Sequence, residues 1–170
     1  MLAVGDSTSL EIIFSTKRYS NRITKTPRIQ TNEGGPHKNV RIITQVVRRP
    51  DSTYPVIVKP YKLDISQFGE KVRDEMKFTI SNVSEQDLDL SMVYFPEDLV
   101  EIDLPASIPA HKSAEGVLRL KEPAINQSLE KSFTFELNDS NKSRFTVPIK
   151  RTVKSPVSLP PRDSKKAKGN

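Results

Sequence analysis

Apolar side chains fall on every second residue in seven stretches of this chain: Leu10, Ile12 and Phe14; Val40 and Ile42; Met76, Phe78 and Ile80; Leu88, Leu90 and Met92; Leu118 and Leu120; Phe133, Phe135 and Leu137; Phe145, Val147 and Ile149. Successive side chains of an extended strand point to opposite faces. Period two with polar residues between therefore means one buried face and one wet face. The stretches are short, and turn formers separate them at Asn82-Val83-Ser84, between Pro105 and Pro109, and from Asn138 to Asn141. Short strands at such spacing belong to an antiparallel sandwich or barrel. Thirteen prolines and no sustained helical periodicity argue against an α-rich fold. The chain reads as all-β.

A longer pattern lies over the short one. Displacing the chain by 106 residues lays Ser7 on Ser113, Ile12 on Leu118, Phe14 on Leu120, Ile23 on Leu129, Ile29 on Phe135 and Asn32 on Asn138. With one residue dropped from the next turn, Val40 meets Phe145 and Ile42 meets Val147. A repeat of about a hundred residues has the length of a whole domain rather than of a solenoid unit. The second copy carries three more strand candidates ahead of the matched portion, within 56–65, 72–80 and 88–94, and nothing comparable precedes Leu2. The first copy is thus expected to be incomplete. Leaving Leu10, Ile12, Phe14, Ile29, Val40 and Ile42 wet would forgo about 1.5–3 kcal/mol for each. Either Met1 is not the natural start, or strands from another chain complete the first sandwich.

Two stretches carry a family signature. "VGDSTSLEIIFSTKRYSNRITKTPRIQTN" sets Gly and Ser before an alternating L-x-I-x-F and closes on I-x-T-N. "YKLDISQFGEKVRDEMKFTISNVSEQDLDL" has an L-D opening, an F-G before its second strand, and F-x-I-x-N at that strand's end. Together, across nearly all of residues 2–150, they resemble the bacterial immunoglobulin-like family called domain of unknown function 1573, akin to the ASH, Hydin and major-sperm-protein sandwiches. The resemblance implies tandem Ig-like β-sandwiches: the C-terminal strands of a first domain over 1–49, a linker at 50–55, a complete sandwich over 56–151, and a flexible Pro/Ser/Lys-rich basic tail over 152–170. It also implies an exported, periplasmic or extracellular protein with no assigned activity. The family often has a cysteine near Met92 to Phe95; this chain has none, which weakens any redox or metal role inferred from the family. The signature residues are turn and core residues, which specify a fold better than a function. Gly5 and Gly69 suit tight turns, and Asn32, Asn82 and Asn138 can satisfy backbone groups where strands end.

The formal charge of +6 is concentrated at one end. Lys150, Arg151, Lys154, Arg162, Lys165, Lys166 and Lys168 against Asp163 supply all of it, while residues 1–51 balance at +5 and residues 52–149 at −5. A nucleic-acid binder carries positive charge on a folded face among aromatics, whereas here much of it sits on the tail. The tail reads first as solvated linker and second as a contact for an anionic surface or partner, with Arg162, Lys165, Lys166 and Lys168 as the candidate residues. About 1 kcal/mol per lysine at a lipid surface allows peripheral contact but no anchoring. Ser155 to Arg162 favours polyproline geometry, as linker or docking peptide. No apolar run is long enough to span a bilayer, and the N-terminus lacks the pattern of a secretory signal.

No catalytic, cofactor or metal site is expected. His37 and His111 both sit in turn sequences and read as exposed, and no nucleophile elbow, phosphate loop or zinc-helix motif occurs. Without cysteine there are no disulfides and no thiolate ligands. Asp87, Asp89, Glu97, Asp98, Glu101 and Asp103 crowd one region, yet lack calcium-loop spacing and read as a solvated acidic edge that discourages strand pairing. Four Asn-x-Ser acceptor sequences, starting at Asn82, Asn126, Asn138 and Asn141, are read as turn composition. The resulting expectation is a non-enzymatic structural or protein-interaction module of the cell envelope. A cytoplasmic Hydin-like or sperm-protein-like scaffold is the alternative. A carbohydrate-binding sandwich ranks below both, since the chain has no Trp for a sugar platform.

Overall fold

The computed structural model describes residues 7, 8, 10, 12, 14, 16, 18–31, 37–48, 52–69 and 71–154. Chain contacts divide it into two compact units, Met1–Arg49 and Pro50–Asn170.

The first unit is an interrupted hairpin. Strand β1 (Asn21–Lys25) pairs antiparallel with β4 (Ile42–Val46), and β2 (Arg28–Ile29) pairs with β3 (Lys38–Asn39). Ile23 faces Thr44 and Ile29 faces Lys38. The displaced alignment would instead set Ile23 against Val46 and Ile29 against Val40, so the register differs by two residues. A slip of two keeps every side chain on its face, which is why the apolar pattern could not reveal it. Leu10, Ile12 and Phe14 lie in no strand ladder among the described residues. Phe14 instead packs its ring 5.3 Å from that of Tyr19, with the Lys25 ammonium 4.7 Å from the Tyr19 ring centre. A turn closed by the Tyr19 N–H on the Thr16 carbonyl brings the two rings together.

The second unit is a two-layer sandwich. Its elements are β5 (Val56–Lys59), β6 (Leu63–Asp64), β7 (Gln67–Phe68), β8 (Glu75–Asn82), β9 (Leu88–Tyr94), β10 (Val100–Asp103), β11 (Ser107–Ile108), β12 (Ser113–Leu120), α1 (Glu122–Ile125), β13 (Leu129–Leu137), β14 (Arg144–Arg151) and β15 (Val153–Lys154). One sheet has the order β10-β12-β8-β5 and the other β11-β9-β13-β14-β6. The opening strand crosses between layers: β5 pairs antiparallel with β8, and after Pro60 the chain joins the opposite sheet as β6, parallel to β14. That switch ties both layers together at one edge and gives the immunoglobulin-like arrangement. Past β6, both the N–H and the hydroxyl of Ser66 donate to Asp64 Oδ1, at 3.2 and 2.5 Å, and hold the Asp64 carboxyl below its ordinary range. Gly69, in the turn that follows β7, has φ of +139°, a conformation only glycine adopts at ease.

The inward positions of the alternating stretches form the core. Phe78, Ile80, Leu118, Phe133, Phe135, Leu137, Val147 and Ile149 are all buried. The Phe78 and Phe133 rings meet across the layers at 5.4 Å, and Phe135 stacks on half-buried Phe145 at 5.6 Å. Gly116 in β12 makes room for this packing. A Cβ there would lie 2.4 Å from Phe78 Cζ and 3.0 Å from the Asp103 carbonyl oxygen. Phe78 is itself buried and has nowhere to retreat. Gly116→Ala is therefore expected to lose about 1–3 kcal/mol through overpacking, read as a lower urea midpoint for the full chain.

Asn82 closes one end of the sandwich. Its Nδ2 donates to the carbonyls of Gln86 and Ile108, and its Oδ1 accepts from the N–H and hydroxyl of Ser84. Asn138 does the same for β9, donating to Asp89 and accepting from the Asp89 N–H. The side chain of Asn82 is buried, so that acceptor sequence is turn chemistry rather than a glycan site.

Candidate protein-interaction surface

The residues that sequence reasoning singled out separate into several places. His111 is an exposed turn residue with φ of +57°, its Nε2 2.9 Å from Glu85. His37 corrects the expectation of exposure: it is half-buried just before β3, where pairing of Lys38 with Ile29 draws it against the hairpin. Asp87 accepts from the Ala110 N–H, and Asp89 is held by Asn138, so these two carboxylates brace turns rather than idle in solvent. Among the described residues no group of three acidic or histidine side chains could hold a metal ion, and no helix is long and apolar enough to cross a membrane. Arg162, Lys165, Lys166 and Lys168 lie outside the described residues.

Arg151, the last residue of the sandwich expected over 56–151, contributes to the C-terminal surplus of charge, yet it is no surface group. It is the fourth inward position of β14, after Phe145, Val147 and Ile149, and only 1% exposed. One terminal nitrogen donates to the carbonyls of Ile65 and Arg73, each at 2.8 Å. The other donates to Gln67 Oε1 at 2.9 Å and to the Ile125 carbonyl. No carboxylate pairs with it among the described residues. Burial pulls its pKa below the usual arginine value, with nearby Asp74 opposing and Arg73 reinforcing that shift. Its four acceptors come from the β6–β7 connection, the approach to β8 and the end of α1. Arg151 is thus a structural clamp. Continued period-two spacing from Phe145 was the signal that could have found it.

The surface open to a partner lies on β9. On one side β9 pairs with β13; on the other, β11 covers only Leu88 and Asp89, and the Leu90 N–H donates to the Ala106 carbonyl at 2.8 Å. From Ser91 to Tyr94 no strand among the described residues lies on that outer side. The ladder to β13 shifts register between Thr134 and Phe135: Met92 faces Phe135, Tyr94 faces Thr134, and Val93 is the extra residue of a bulge. Val93 and Tyr94 are 44% and 45% exposed. Beside them lies an open groove of about 570 Å³, lined by Met92, Val93, Tyr94, Phe95, Pro96, Glu97 and Asp98. Sequence reasoning saw the acidic residues here but not the groove they line.

No protein-family model matches the chain, and no curated protein sequence matches it. Solved structures do resemble it. A protein of unknown function from Porphyromonas gingivalis W83 aligns over 79% of this chain and 67% of its own, at 13% identity and a TM-score of 0.45. SSP-19, an MSP-domain protein like family member in Caenorhabditis elegans, aligns over 56% of this chain and 97% of its own, at 11% identity and TM-score 0.41. The ASH/PapD-like domain 7 of human CEP192 aligns over 67% and 95%, at 10% identity and TM-score 0.38. These are distant likenesses of fold, and they assign no site, partner or activity. The sandwich rests on the chain's own strand order.

Proposed function

We propose that this chain is a non-enzymatic protein-interaction module, an Ig-like scaffold that holds a partner protein along the uncovered edge of β9. The observation that carries this reading is that edge: exposed main chain and apolar side chains beside a groove, on a sheet braced from behind by a packed core. Exposed apolar surface of this kind on a rigid scaffold is a usual feature of binding faces. The finer reading draws on the sequence resemblance. It takes the chain as tandem Ig-like domains of the bacterial domain of unknown function 1573 kind, with the first unit the closing hairpin of one sandwich, residues 50–55 the linker, the basic tail at residues 152–170 a linker or secondary contact, and the whole a subunit of an envelope assembly.

The test is in-cell photo-crosslinking with a reactive amino acid placed at Val93, and at Thr79 as control. Thr79 is exposed but lies mid-sheet between two paired strands. Discrete protein adducts from position 93 and none from 79 support the reading; adducts from neither, or equally from both, refute it. Fractionating the same cells decides the envelope assignment.

A further inference from the structure

We propose that the uncovered edge of β9 takes an extended, basic protein segment as an added strand. This rests on the interaction reading above and names the class of partner.

The first argument is main-chain chemistry. Past the bond from Leu90 to Ala106, β11 no longer accompanies β9, so no strand among the described residues pairs with the outer edge of β9 at Met92. An extended peptide laid there gains backbone hydrogen bonds without rearranging the sandwich. The second argument is the bulge. By adding Val93 it bends the strand and turns Val93 and Tyr94 outward, beside a groove lined by Met92, Phe95 and buried Pro96. Apolar side chains of a visiting strand would cover them.

Charge decides which strand. Glu97 and Asp98 rim the groove, exposed and without ion pairs among the described residues; the nearby Lys121 ammonium donates to the Glu97 main-chain carbonyl instead. A second copy of β9 laid antiparallel and centred on Val93 would set Asp89 opposite Glu97, a like-charge contact that disfavours self-pairing. The same carboxylates attract a segment that carries Lys or Arg, and they repel anionic lipid and nucleic acid.

The test uses the full chain, labelled with nitrogen-15, and the peptide acetyl-Lys-Val-Thr-Val-Lys-Val-amide as probe. Two twins accompany it, one with Glu in place of Lys and one with alternate backbone nitrogens methylated. The basic peptide is expected to shift the amides of residues 91–98 saturably, and more weakly as salt rises. Both twins are expected to bind at least about tenfold more weakly, as is a Glu97→Lys, Asp98→Lys variant whose melting is unchanged. Absence of shifts, shifts confined elsewhere, or equal binding of the acidic or methylated twin would overturn the proposal. Protein adducts from position 93 without binding of the basic probe overturn this proposal alone and leave the interaction reading standing. Probe binding without adducts overturns the interaction reading, and with it this proposal.

Discussion

Replacing Arg151 with methionine is expected to lower the stability of the C-terminal sandwich by about 3–5 kcal/mol, because four neutral acceptors lose their donor at once. The apolar stem is conserved in that change, so packing is little disturbed. What is lost are donors to the main-chain carbonyls of buried Ile65 and of the less buried Arg73 and Ile125, and to the Gln67 amide oxygen. Each acceptor left without a donor costs about 1–3 kcal/mol if water cannot reach it. Arg151→Lys should fall between, losing about 1–3 kcal/mol, because one ammonium cannot span acceptors that a planar fork serves together. Lys150→Met, on the opposite face of the same strand, should change stability by less than about 0.5 kcal/mol. Urea unfolding of the full chain, followed by circular dichroism, ranks the three. Equal midpoints for the Arg151 and Lys150 variants would show that the clamp bears no load.

Phe133→Ala is the second large effect, a loss of about 3–5 kcal/mol from the transfer and cavity terms together. Phe133 is fully buried and lies 5.4 Å from Phe78 across the two layers and 6.4 Å from Phe135 along its own strand. The cavity would open between sheets that the backbone ladders hold apart, so collapse into it is limited. Phe145→Ala makes the contrast. Phe145 stacks on Phe135 from a half-buried position, and its loss should cost only about 1–2 kcal/mol. Amide exchange in β8 and β13 should accelerate far more in the first variant than in the second.

Much of the fold was legible because strand periodicity is local. Leu88 and Leu90, Phe133 and Phe135, and Val147 and Ile149 all point inward as their spacing requires. Asn82 braces its own turn because an amide side chain reaches backbone groups within a few residues, whereas Asn138 ties its turn to distant Asp89, a link the sequence could not show. The interaction surface was far less legible. Glu97 and Asp98 could be seen as acidic, but the groove they line with Met92 to Pro96 appears only in the folded chain. Arg151 stood out in the sequence only as one of the C-terminal charges, and charged residues are seldom fully buried.

The sequence by itself determined that this chain is all-β and which face is buried in the strands around Phe78, Leu90, Leu118, Phe135 and Val147, since alternation follows from the geometry of one extended chain. It could not determine register in the first hairpin, where a two-residue slip leaves every face unchanged. It could not show that Gly116 lies under Phe78, that Arg151 clamps three distant segments, or that β11 pairs with only the first two residues of β9. Each of those depends on which strands, far apart along the chain, come to lie side by side, and only the tertiary structure decided that.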